Sequence, residues 1–179
     1  LINGIDVMEQ PLETKKYVAF VSENVMLYGN FTARQNLDFF ARLGGKTNLT
    51  KNDYYNVMRQ VGLQEEAFER RLKTFSKGMR QKVGLAIAII KDASNIVMDE
   101  PTSGLDPKSA AELMQILINL RNEGKSILMC THDLFRAKTV ADRVGIMKEG
   151  RLVMLRTRDE FLQDDLERIY LDYMQEAIV

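Results

Sequence analysis

Three stretches of the chain are apolar without alternation, which is the pattern of strands buried on both faces of a parallel sheet. They are Tyr17 to Val21 (Y-V-A-F-V), Ile96 to Met98 within N-I-V-M-D-E, and Ser126 to Thr131 (S-I-L-M-C-T). Between them the apolar spacing becomes helical. From Thr32 to Leu43, Leu37, Phe40, Ala41 and Leu43 fall on one face, and a second helix is predicted from Asn52 to Val61, stopped near Gly62. Arg80 to Ile90 is an apolar helix preceded by Ser76-Lys77-Gly78. The next helix opens on Asp106-Pro107, an N-cap candidate followed by proline at the first helical position, and Gly124 closes it. In that helix Leu113, Ile116, Leu117 and Leu120 keep the i, i+3, i+4, i+7 spacing. A strand, a helix and a strand in this order imply parallel pairing with a crossover, which brings the carboxyl ends of both strands to one sheet edge. Leu1 to Val7 also has strand character around an Asn-Gly turn. Val144–Met147 and Arg151–Leu155 predict a hairpin about Lys148-Glu149-Gly150. The tail from Arg158 to Tyr173 is amphipathic, with Phe161, Leu166, Ile169 and Tyr173 as core contacts.

At 179 residues, with 45% hydrophobic and 28% charged residues and 3 prolines, the composition is that of an ordinary globular domain. Lysine plus arginine and aspartate plus glutamate balance at 25 each, so no basic field points to nucleic acid. One cysteine excludes an internal disulfide, and with a single histidine it cannot build a structural zinc site, so a reducing cytosolic setting is expected. Cys130, within the third strand, reads as core packing. The longest apolar stretch, Val83 to Ile90, is far too short to span a bilayer, so direct membrane insertion is not expected.

The densest chemistry lies in Asn95 to Pro107, N-I-V-M-D-E-P-T-S-G-L-D-P. A buried strand delivers Asp99 and Glu100 to its carboxyl end, the edge at which open α/β sheets bind ligands. Two adjacent carboxylates there can divide the work of a phosphate-cleaving site, one holding Mg²⁺ through water and the other acting as general base toward an attacking water. A strand followed by an acidic turn is the plain alternative for D-E alone. Ser76 begins a helix, whose first N–H groups and partial positive charge suit phosphate, and Gly78 permits close approach; a simple N-cap is the other reading. His132, in T-H-D after the third strand, is either a satisfied loop histidine or a group that hydrogen-bonds a phosphate oxygen.

Taken together and in order, Ser76-Lys77-Gly78-Met79-Arg80-Gln81, D-E-P, S-G-L-D and T-H-D resemble the ATP-binding subunit of ABC transporters over about residues 1–155. The resemblance implies an α/β fold of the P-loop NTPase-like, ABC ATPase type: a parallel sheet with a helical subdomain, incomplete at the N-terminus. It implies a partial ATPase domain over 1–155, with the helical subdomain at about 24–74, and a helical tail over 156–179. The cofactors implied are ATP and Mg²⁺. Phe75 to Met79 is similar to the signature motif, usually L-S-G-G-Q, so Ser76, Lys77, Gly78 and Met79 would meet the γ-phosphate held by a second ATP-binding subunit, identical or not, in a head-to-tail dimer. Asp99 matches the end of the Walker B strand and would bind the metal. Glu100 matches the catalytic glutamate, Ser103, Gly104 and Asp106 belong to the D-loop, and His132 matches the switch histidine.

The chain departs from the family pattern at three positions. Lys77 stands for a glycine and Met79 for the glutamine of the signature, and the added charge is expected to favour phosphate. Glu23 stands where the Q-loop has glutamine, and a carboxylate there is expected to bind Mg²⁺ or orient water. Such substitutions resemble the branch serving drug, antibiotic or sodium exporters with separately encoded permeases. The other implied partner is therefore a membrane permease subunit, which would hold the chain peripherally on the cytoplasmic face of the membrane. Val25, Met26, Leu27 and Tyr28 either form the groove that receives it or close the domain's own core. No G-x-x-x-x-G-K-[ST] occurs in the sequence. Gly44-Gly45-Lys46-Thr47 is a decoy, because Phe40 occupies the place of the first glycine. The expectation is a chain truncated before its P-loop and inactive alone. Two alternatives remain from other classes: a non-catalytic interaction fragment, and a soluble ABC ATPase of translation or DNA repair.

Overall fold

Three strands, β1 (Val18–Val21), β2 (Asn95–Asp99) and β3 (Ser126–Cys130), pair in parallel in the order β1-β2-β3. They belong to a computed structural model of the chain that describes residues 1–163 and 165–175. The chain divides into two compact units, Leu1–Cys130 and Thr131–Val179.

In the first unit α1 (Pro11–Thr14) precedes β1, and α2 (Ala33–Leu43), α3 (Lys51–Gln60) and α4 (Lys77–Ile90) lie between β1 and β2. The helix α5 (Pro107–Asn122) then leads to β3. Each main helix starts where a side chain satisfies its otherwise unpaired N–H groups. Thr32 and Gln35 form a reciprocal capping box on α2, Thr50 and Asp53 form another on α3, and Ser76 and Asp106 cap α4 and α5. The α2 contacts Leu37 and Ala41 are fully buried, whereas Leu43, expected on the same face, is 73% exposed because the helix has reached its last residue there. Both α2 and α3 pack on α4, and α4 packs on β1 and α5. Lys91, just past α4, donates to the carbonyls of Lys15 and Val18, and burial pushes its ammonium below the ordinary lysine range.

Two sequence expectations change. Leu1 to Val7 forms a tight turn, not a strand: Ile2 and Ile5 bridge about Asn3 and Gly4, both at positive φ. Among the described residues, the strands are covered on one face only. Val21, Ile96 and Met98 are buried, while Phe20 and Leu128, in register on either side of Val97, are each 64% exposed. Cys130 is likewise exposed, not packed in a core, because it ends β3, which pairs on one side only among the described residues. A run without alternation signals two apolar faces, and it does not say that both are covered.

The second unit contains α6 (Leu134–Val140), the antiparallel hairpin β4 (Arg143–Lys148) and β5 (Arg151–Thr157), and α7 (Arg158–Gln163) and α8 (Leu166–Gln175). Glu149 and Gly150, at φ 50 and 76, make the tight connection. Ile146, Met154, Phe161 and Leu166 form the buried core, with Ile169 and Tyr173 packed against it, as the tail's amphipathic spacing predicts.

Candidate functional site

The end of β2 is shaped by backbone geometry. Asp99 pairs with Cys130 and its side chain is exposed, while Glu100 turns into the left-handed region at φ 44. Such a conformation costs energy in a residue with a side chain, and it recurs where a site needs a group aimed off the strand direction. The turn is fixed by two bonds: Glu100 N–H donates to the Cys130 carbonyl at 2.9 Å, and Ser103 N–H donates to the Glu100 carbonyl at 3.1 Å. Beneath it Pro101 and Thr102 are buried. The half-buried Glu100 carboxyl and the exposed Asp99 carboxyl thus leave one strand end in different settings.

Beside this turn lies the start of α4. Ser76 Oγ accepts from the Met79 N–H at 3.2 Å, which leaves the hydroxyl its own proton to donate. Gly78 is buried against α5, where an added Cβ would meet the Ser109 Cβ at 3.1 Å. Asp106 caps α5, accepting from Ser109 N–H and Ser109 Oγ–H, and these bonds hold its carboxyl below the ordinary range, the side-chain bond most strongly.

Glu23 joins the two segments. Its Oε1 accepts from Lys77 Nζ at 3.1 Å and from Ser103 Oγ at 2.8 Å. Lys77 also lies over Gly104, whose φ is +65 and whose Cβ position would be 3.5 Å from the ammonium. The Glu23 carboxylate, expected to face Mg²⁺, is therefore engaged by a lysine and a serine, and the Lys77 charge, expected to face phosphate, is met by Glu23. No group of three or more His, Cys, Asp or Glu side chains among the described residues is arranged to hold a metal. Mg²⁺ commonly takes one or two carboxylates and completes its shell with water and substrate oxygens, and the exposed Asp99 carboxyl is open to such a contact.

The unit thus brings together Glu23, Lys77, Ser103 and Gly104, with Ser76, Gly78 and Asp106 on the same two helix starts. His132 belongs to the second unit, where it is exposed and its carbonyl accepts from Leu134 N–H. Asp133 beside it caps α6 through Arg136 N–H, and it also pairs with the Arg136 guanidinium.

One contributor carries no motif. Gln81, fully buried in α4, donates through Nε2 to the carbonyls of Ser22 at 3.1 Å and Glu23 at 2.8 Å, so it seats the loop that carries Glu23. Its Oε1 is the buried side-chain atom without a hydrogen-bond partner among the described residues. The available signal was an amide placed on the inward stripe Lys77, Gln81, Gly84, Ala88. A groove of about 340 Å³ lined by Gln60, Lys82, Glu112 and Gln115 lies elsewhere and contains none of these residues.

The family of ABC transporters matches residues 1–103. The chain is 27% identical over 160 residues to the linearmycin resistance ATP-binding protein LnrL of Bacillus subtilis, covering 89% of the chain and 51% of that protein. It is 31% identical over 176 residues to the carnitine transport ATP-binding protein OpuCA of Listeria monocytogenes, covering 97% of the chain and 44% of that protein. The chain spans about half the length of these curated relatives. A solved ATP-binding subunit of an ABC transporter aligns with a TM-score of 0.77 at 26% identity, over 96% of the chain and 74% of its own.

Proposed function

The chain belongs to the ABC transporter family, and from that premise we propose that it is part of an ATP-binding and ATP-hydrolysing subunit of a membrane transporter. The observation that carries this reading is the end of β2, where the strained Glu100 and the exposed Asp99 stand next to the capped start of α4. Glu100 takes the proton of the attacking water, which is general base catalysis. Asp99 is the residue that would hold Mg²⁺, which when bound would supply charge neutralisation to the phosphates. His132 hydrogen-bonds the γ-phosphate. The Ser76–Met79 segment and the Ser103–Asp106 turn face the nucleotide of a second ATP-binding subunit in a head-to-tail dimer.

No helix among the described residues is long and apolar enough to cross a membrane. The partner proposed for the membrane step is a permease subunit. Its docking face is the cluster after β1, where Met26 is 86% exposed and the Tyr28 ring lies edge-on to Phe39 and tilted against Phe31 and Phe40, at centroid distances of 4.9, 5.1 and 6.3 Å. The subunit sits on the cytoplasmic face. Export is the proposed direction, on the strength of Glu23, Lys77 and Met79 and of the resistance protein among the relatives. The carnitine transport relative favours uptake as the second reading, and the direction of substrate flux in vesicles holding the permease complex separates them.

The test of the site is Glu100→Gln in the protein that carries this chain. Hydrolysis is expected to fall by roughly 10²–10⁴, the usual weight of a general base, with ATP binding retained. Unchanged turnover removes Glu100 from the role.

A further inference from the structure

We propose that Glu23 and Lys77 are paired positioning residues, a charge clamp that locks the turn after β2 to the start of α4. Relative to the family pattern each is a departure, an acid for an amide and an ammonium for a hydrogen. Either change alone would bring an unbalanced charge to a crowded loop junction. Together they cancel, at 3.1 Å, and the same carboxylate oxygen accepts from Ser103. The clamp has three anchors on two elements. Gln81 holds the backbone of Ser22 and Glu23 from within α4, Lys77 reaches across from the first residue of that helix, and Ser103 comes from the turn after β2. Gly104 leaves room for the ammonium, and any side chain at φ +65 would be strained and would crowd it.

The consequence is mechanical. An uncharged glycine at position 77 could not reach Glu23, so the first turn of α4 would lose its side-chain tie to Glu23 while the bonds from Gln81 and Ser103 remained. With the clamp, the loop after β1, the Ser76–Met79 segment and the Ser103–Asp106 turn move as one body. Movement of the loop after β1 then repositions the two segments that the proposed function turns toward a second nucleotide. That last step rests on the functional reading above, but the clamp does not.

Amide hydrogen exchange on the protein that carries this chain tests it without nucleotide. Ser103 and Leu105 N–H bond within the turn and report its order. In Glu23→Gln and in Lys77→Met they are expected to exchange roughly two- to fivefold faster, the range of a partly exposed ion pair. In the double variant they go no faster than in either single one. Raising salt to about 1 M, where screening acts within about 3 Å, is expected to speed the same amides in the unaltered chain and not in Glu23→Gln. Unchanged exchange in the single variants, additive effects in the double, or a turn indifferent to salt in the unaltered chain would overturn the clamp. Amides of Leu113 and Leu117 in the buried face of α5 show whether a variant has lost its fold, and the salt series on the unaltered chain decides the matter in that case.

Discussion

Gln81 shows what a single side chain contributes that no motif announces. Its two donated bonds seat the loop bearing Glu23, and its own carbonyl oxygen is left unmatched. Replacing it by leucine removes both the bonds and the orphan, so the losses partly offset, at a cost of about 1–2 kcal/mol. Gln81→Glu keeps the shape but sets a carboxylate against two carbonyls in a buried place, and it is expected to cost at least about 2 kcal/mol more. Urea denaturation of the two variants ranks them, and an equal or reversed order would show that Nε2 is not what holds the loop. At this scale Ser76, Asp99, Glu100, Ser103 and Asp106 were legible because their places follow from strand ends and helix starts. The partners of Glu23 were not, because an ion pair between residues 23 and 77 depends on tertiary packing that no local spacing encodes.

Among the elements, the helices were read from apolar spacing and confirmed at their caps, whereas α1 and α6 are too short to leave a periodic signal. Y-V-A-F-V and S-I-L-M-C-T did become strands, and Phe20 and Leu128 on them face outward. The helical pair α2 and α3 carries an acid sensitivity of its own. The Tyr54 hydroxyl donates to Asp38 at 2.7 Å, and this bond, followed by that from Arg42, holds the aspartate below its ordinary 3.8. Burial, and then the same bond, push Tyr54 up to about 12. Since the folded carboxyl is the stronger acid, its contribution is present in full above 3.8 and is lost as pH falls below that value through the lowered one. Stability measured by urea midpoint is therefore expected to drop between pH 5 and pH 3, by less in Tyr54→Phe than in the unaltered chain. An identical drop in both would assign the acid loss to other carboxylates, such as Asp53 or Asp92.

For the whole molecule, the parallel sheet and the family followed from one reading of the sequence, since the apolar strand runs mark the one and the four ordered motifs the other. Left out of that reading were the distances that turn motifs into a site. These 179 residues contain no glycine-rich phosphate cradle with its lysine. The start of α4 and the end of β2 offer one helix terminus and two acids, too little to hold a triphosphate by themselves. Calorimetric titration of the chain with Mg-ATP is expected to give a dissociation constant weaker than about 1 mM, near −4 kcal/mol. Micromolar binding would mean that these segments suffice.

The exposed thiol of Cys130 has a practical use. It is the single sulfhydryl in the sequence and sits opposite Asp99 in the strand register, about 4.8 Å away by the usual interstrand spacing. A maleimide dye or nitroxide would attach at one place only, giving an optical or magnetic probe one strand from the carboxylate assigned to magnesium, with no engineered cysteine needed.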